Sequence, residues 1–175
     1  MENLIERLNK KGYTELSIRI DAANEYYRKD PLVYCEKCRN ILGLFLNKLE
    51  DILETKVDGS IVNYQKRIEI LNNHRSMLID EELCNELHTM RMLGNKYAHQ
   101  DQKDVCPDVD RKTFKTAIFK IAERLLELPE QYERFQNKEA ARKKEAGKRR
   151  KKVGVVVAIL LAILGIIGKL LGGRK

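Results

Sequence analysis

The sequence contains no tryptophan and only three prolines in 175 residues. So few prolines leave long helices uninterrupted, because proline is the residue that removes a helical hydrogen bond and clashes with the preceding turn. No stretch alternates apolar and polar residues with period two for long enough to propose a strand, and no internal repeat is visible. Residues 1–11 carry charges of both signs and no apolar run, which argues against a signal peptide. Cysteine is also scarce. Cys35 and Cys38 have the spacing of a metal or redox pair, but a zinc site needs a second local pair, and Cys84 and Cys106 are too far apart to form one. Both members of the Cys35–Cys38 pair fall on the apolar stripe of a helix, so reduced core cysteines are expected, with no metal and no cofactor.

A basic domain surface is missing as well. The net charge is +8, but residues 138–175 hold 12 Lys or Arg against 2 Glu, which leaves 22 basic and 24 acidic residues in 1–137. The basic excess belongs to the tail, and the overall pI is not the footprint of a nucleic-acid-binding domain.

What is present is helical periodicity. Leu4, Ile5 and Leu8 precede a break at Gly12; Leu16, Ile20, Ala23 and Tyr27 follow at helical spacing. Asp30-Pro31 reads as an N-cap with proline at the first helical position, ahead of a stripe from Cys35 to Ile52. Asp58-Gly59 marks a turn, and Ser60 is the expected cap of a helix carrying Ile61, Tyr64, Ile68 and Leu71. Asp80 opens the next helix, with Leu83, Leu87, Met90, Leu93 and Tyr97 on its apolar face. A loop is expected at 100–109. Asp110 then opens a last helix carrying Phe114, Ile118, Ile121 and Leu125, which Pro129 ends or kinks.

Residues 137–152 contain no large apolar side chain and read as a solvated helix or basic linker. The run 153–171 has a single lysine, Lys169, and predicts a transmembrane helix, about 28 Å long at 1.5 Å per residue. Five consecutive basic residues before it place the N-terminal domain on the cytoplasmic side of a single-pass anchor. Gly154, Ala158 and Ala162 form a small-residue stripe through which two such helices could pack as a homodimer. The expected organisation is therefore a helical domain at 1–136, a linker at 137–152 and a membrane helix at 153–171.

One helix breaks a local rule. Gly94 and Asn95 are poor mid-helix residues, a sign either of function or of close helix packing. Arg91, Asn95 and His99 stand at i, i+4 and i+8 and share a face, with His88 close to it. An arginine fork clamps phosphate oxygens, and a histidine moves protons near neutral pH. A partly exposed polar stripe closed by a C-terminal histidine, favourable to the helix dipole, is the alternative.

The stretch from Leu87 to His99, LHTMRMLGNKYAH, resembles the signature of the HEPN-like group called domain of unknown function 4145. A looser match covers Asp30-Pro31, Arg39 and Leu49-Glu50, and the resemblance spans roughly 22–126. It implies an all-α bundle of four or five helices, often dimeric. It also implies a metal-independent endoribonuclease of bacterial defence or stress, tethered here to a membrane. In that chemistry Arg91 would stabilise the phosphorane, His99 would be the acid or base, and Asn95 would position them. Attack by the ribose 2′-hydroxyl would leave a cyclic phosphate. Two other expectations stay open: a non-catalytic module docking a protein partner encoded nearby, and a membrane-permeabilising effector built on the C-terminal helix.

Overall fold

The computed structural model describes residues 2–55, 57, 63–98 and 106–172, the side chains of 2, 3, 148 and 150–172 excepted. Among them the chain is all-α. The helices are α1 (Glu2–Lys10), α2 (Thr14–Asn24), the single-turn α3 (Tyr26–Lys29), α4 (Pro31–Ile52), α5 (Tyr64–Asn72), α6 (Glu81–Ala98) and α7 (Asp108–Gly172). Two compact units result, Met1–Tyr132 and Glu133–Lys175.

The first unit is organised around α4, which packs against α6 and α2 and also meets α5. Its start follows from local chemistry. The Asp30 carboxylate accepts hydrogen bonds from the backbone N–H groups of Leu32 and Val33, at 3.1 Å each, and Pro31 supplies a preset φ at a position whose N–H has no helical partner. Tyr34, Ile41, Leu42, Phe45, Leu46 and Leu49 are then sealed from solvent. Each of the five without a polar atom contributes about 1.5–3 kcal/mol on burial, whereas the Tyr34 hydroxyl is buried without a hydrogen-bond partner. Leu83, Leu87 and Met90 of α6 and Phe114, Ile118, Ile121 and Leu125 of α7 complete this core. Gly43 lets α4 and α5 approach closely, since a Cβ there would lie 2.8 Å from the Tyr64 hydroxyl oxygen.

Several element boundaries differ from those expected. The start of α5 is capped by Asn63, which accepts from the N–H groups of Gln65 and Lys66, while the expected cap, Ser60, lies outside the described residues. The last helix begins at Asp108 rather than Asp110 and runs through Pro129 without ending. Buried Leu128 and Tyr132 flank that proline and hold the helix to the core across the lost hydrogen bond.

The expected transmembrane helix is corrected. Among the described residues, no helix is long and apolar enough to cross a membrane. The backbone of 153–171 forms no separate element. It belongs to the final part of α7, a single 65-residue helix that runs from Asp108 to Gly172. The physical reason lies in the stretch expected to separate two elements. Apart from Asn137 and Gly147 it is made of Ala, Glu, Lys and Arg, which are strong helix formers, and it contains no proline. Pairs at i,i+4 add support, Glu139 with Lys143 and Glu145 with Arg149. The helix therefore propagates through the stretch read as either a solvated helix or a linker.

Candidate functional site

The Asp80 carboxylate caps α6 through the N–H of Leu83, and Glu81 and Glu82 occupy the first turn, where the helix dipole favours anions. Leu83, Leu87, Met90 and Gly94 form the buried face. Arg91 and Asn95 lie along the neighbouring flank, one turn apart. Arg91 is half-buried and Asn95 exposed. The structure thus brings these two expected site residues onto one side of one helix. The third, His99, lies outside the described residues, directly after the helix ends at Ala98.

Arg91 stands apart from the other arginines with buried guanidinium nitrogens. Among the described residues three arginines bury an Nε that has no hydrogen-bond partner, Arg91, Arg111 and Arg124. Arg111 still donates to the Tyr27 carbonyl and to Asp108, and Arg124 donates to Asp80 and Glu127. Arg91 forms no hydrogen bond and no ion pair among the described residues. A guanidinium with five donors, partly desolvated and without an acceptor, is costly unless an anion visits it.

His88, one turn before Arg91, is the residue that sequence reasoning left uncommitted. It is half-buried, and its imidazole is held below the usual histidine range, first by burial and then by the charge of Arg91, with Glu69 of α5 opposing. His88 is therefore a neutral imidazole at pH 7, able to accept or donate a hydrogen bond on the same flank. Its spacing from Arg91 was visible in the sequence; the burial and the Arg91 charge acting on it were not.

Gly94 has a packing explanation. A Cβ there would sit 3.1 and 3.2 Å from Cγ and Cβ of Arg39 on α4. The glycine lets the aliphatic stem of Arg39 lie directly on α6. Arg39 in turn borders a groove of about 750 Å³ between the start of α4 and the end of α6, whose walls include Asp30, Val33, Glu36, Tyr97 and Ala98. The end of α6 is clamped to the start of α7. Lys96 forms an ion pair with Asp110 at 2.7 Å, and the Tyr97 hydroxyl donates to the same carboxylate. The Lys96 ammonium and then the Tyr97 hydroxyl hold the Asp110 carboxyl below its usual range.

Among the described residues no group of three or more His, Cys, Asp or Glu side chains is placed to hold a metal ion. Cys35, Cys38 and Cys106 are buried thiols and Cys84 is half-buried.

Residues 21–138 match the model of a protein family described as domain of unknown function, DUF4145. The chain is a DUF4145 protein. That match covers α4, α5, α6 and the part of α7 that packs on them, so the Arg91 flank and the Arg39–Gly94 contact both fall inside the DUF4145 region. No curated protein and no solved structure matches the chain.

Proposed function

We propose that this DUF4145 domain is HEPN-like and is a metal-independent endoribonuclease, with the α6 flank as its phosphate-binding surface. The observation that carries this reading is Arg91, a half-buried guanidinium that forms no hydrogen bond or ion pair among the described residues. A phosphodiester supplies the two acceptor oxygens its fork needs. In this scheme Arg91 stabilises the charge that builds on the phosphorane, where a preorganised cation acts most strongly. His99, carried by the sequence motif, accepts the proton of the attacking ribose 2′-hydroxyl. The bond from phosphorus to the 5′-oxygen of the next nucleotide then breaks, that oxygen takes a proton from solvent, and a 2′,3′-cyclic phosphate remains. Asn95, one turn from Arg91 and exposed, orients the phosphate. A second copy of the chain, with its α6 facing the first, would double the number of arginines around one RNA strand. The physiological setting proposed is bacterial defence or stress.

The near-neutral balance of residues 1–137 and the groove beside Arg39, whose walls include Asp30 and Glu36 as well as Val33, favour a second reading. In it the domain is a non-catalytic module that docks a protein partner. Incubating the full-length protein with total RNA in the presence of EDTA separates the two. Cleavage products ending in cyclic phosphate, lost in His99→Ala and Arg91→Ala, support the nuclease. Intact RNA at stoichiometric enzyme would make the docking module the better account.

A further inference from the structure

Three cysteines lie together beneath α4. Cys35 and Cys38 sit one turn apart on the buried face of α4, and Cys106 lies two residues before α7; none is accessible to solvent. The Sγ atoms of Cys35 and Cys106 are 2.8 Å apart, although the residues are 71 positions apart in sequence. Two unbonded sulfurs ordinarily rest at a greater distance. Core packing calls for small apolar side chains here, but it does not call for two thiols with their sulfur atoms in direct contact. Neither thiol belongs to the Arg91 flank.

We propose that Cys35 and Cys106 are a redox dithiol that closes to a disulfide joining α4 to the chain entering α7, with a small peroxide as the oxidant. Bond formation needs the sulfurs to move from 2.8 Å to about 2.05 Å. Burial, and then the contact with Cys106, pushes the Cys35 thiol well above its usual range, and burial pushes Cys38 up to about 12. Cys35 is therefore protonated at neutral pH. The Cys106 sulfur attacks one peroxide oxygen, the O–O bond breaks, and the departing hydroxide leaves as water with the Cys106 proton. The Cys35 sulfur then attacks the sulfenic sulfur, the S–O bond breaks, and a second water carries away the Cys35 proton. Two thiols give up two electrons and two protons, and one peroxide becomes two waters. A peroxide suits a buried pair because it is small enough to enter where a glutathione-sized disulfide is excluded. The crosslink removes conformations from the unfolded chain and leaves the folded one nearly unchanged, so the oxidised protein should melt at a higher temperature.

The test uses the full-length reduced protein, treated with hydrogen peroxide, alkylated in denaturant and digested without reductant. Two of the four thiols should disappear, the Cys35 peptide should be linked to the Cys106 peptide, and dithiothreitol should restore both. The melting temperature should rise by several degrees on oxidation and fall back on reduction. Cys38→Ala should behave like wild type, and Cys106→Ala should keep its remaining three thiols. Survival of all four wild-type thiols, linkage through Cys38, or irreversible sulfinic products in place of the crosslink would overturn the proposal. The linkage map of the wild-type protein decides the matter even if a variant fails to fold. No outcome depends on RNA cleavage.

Discussion

Two arginines on neighbouring helices have opposite surroundings. Arg67 on α5 is paired along one edge of its guanidinium. Its Nε and Nη2 donate to the two carboxylate oxygens of Glu50 on α4, at 2.7 and 2.8 Å, and Nη2 also donates to Asn47 at 2.6 Å. Only 12% of the Arg67 side chain and 14% of the Glu50 side chain are exposed, so this bidentate bridge is largely dry. Arg91 on α6 is half-buried yet pairs with nothing described. The difference separates charge used to hold the fold from charge left for something outside it. A paired, desolvated arginine is costly to break but inert, whereas an unpaired one is a standing affinity for an anion.

The largest expected effect tests that division directly. Arg91→Ala should lower RNA cleavage by about 100-fold or more, the scale for losing one preorganised stabilising donor, and leave the denaturant midpoint nearly unchanged. Arg91→Lys should recover only part of the rate, because a point charge cannot reproduce the bidentate fork. Glu50→Gln should do the reverse, lowering stability by about 2–3 kcal/mol in urea unfolding while the cleavage rate per folded molecule stays the same. If Arg91→Ala unfolds the domain, or Glu50→Gln abolishes cleavage in a folded protein, the division between the two arginines is wrong.

A smaller effect is expected where the unpaired flank meets the core. Gly94→Ala gains about 1 kcal/mol of helix propensity. It also forces a methyl against Cβ and Cγ of Arg39, at 3.2 and 3.1 Å. Those atoms lie close to the α4 backbone and yield little, so overpacking of about 1–3 kcal/mol should win and the midpoint should fall. A rise in the midpoint would show that the Arg39 stem moves aside freely.

The smallest effect is a titration. Burial and Arg91 depress the folded-state pKa of His88 below the ordinary 6.5, so the unfolded chain binds its proton first as pH falls. His88 therefore contributes stability that is fully present above pH 6.5 and is lost as pH drops through the folded value. His74, also depressed by burial and by Arg75, acts in the same direction, so the two must be followed individually. In an NMR titration the His88 midpoint should move up in Arg91→Met and down in Glu69→Gln. A midpoint unmoved by Arg91→Met would mean that the two side chains do not share one flank.

The sequence carried the parts of this protein that depend on neighbours along the chain. The Asp30-Pro31 cap, the Asp80 start and the 3.6-residue stripes needed only local hydrogen bonding and periodic burial, and they were legible residue by residue. Arg91 and Asn95 were placed on one face by the same arithmetic. Local signals also misled. Pro129 looked like the end or a kink of the last helix, yet core contacts around Leu128 and Tyr132 carry α7 through it; of the two readings of the charged stretch after Asn137, helix or linker, the helix is the one observed.

What only the tertiary structure decided concerns partners distant in sequence. Gly94 announced a close approach, but nothing local named Arg39 as the group approaching it. Cys35 and Cys38 were expected as reduced core thiols, and nothing local announced that the Cys35 sulfur meets Cys106, 71 residues away. Glu50 answers Arg67, and nothing described answers Arg91. A helix sets which residues share a face from its own geometry. Which side chain of another helix lies opposite that face is set by how the whole core packs, and that information is not local to any segment.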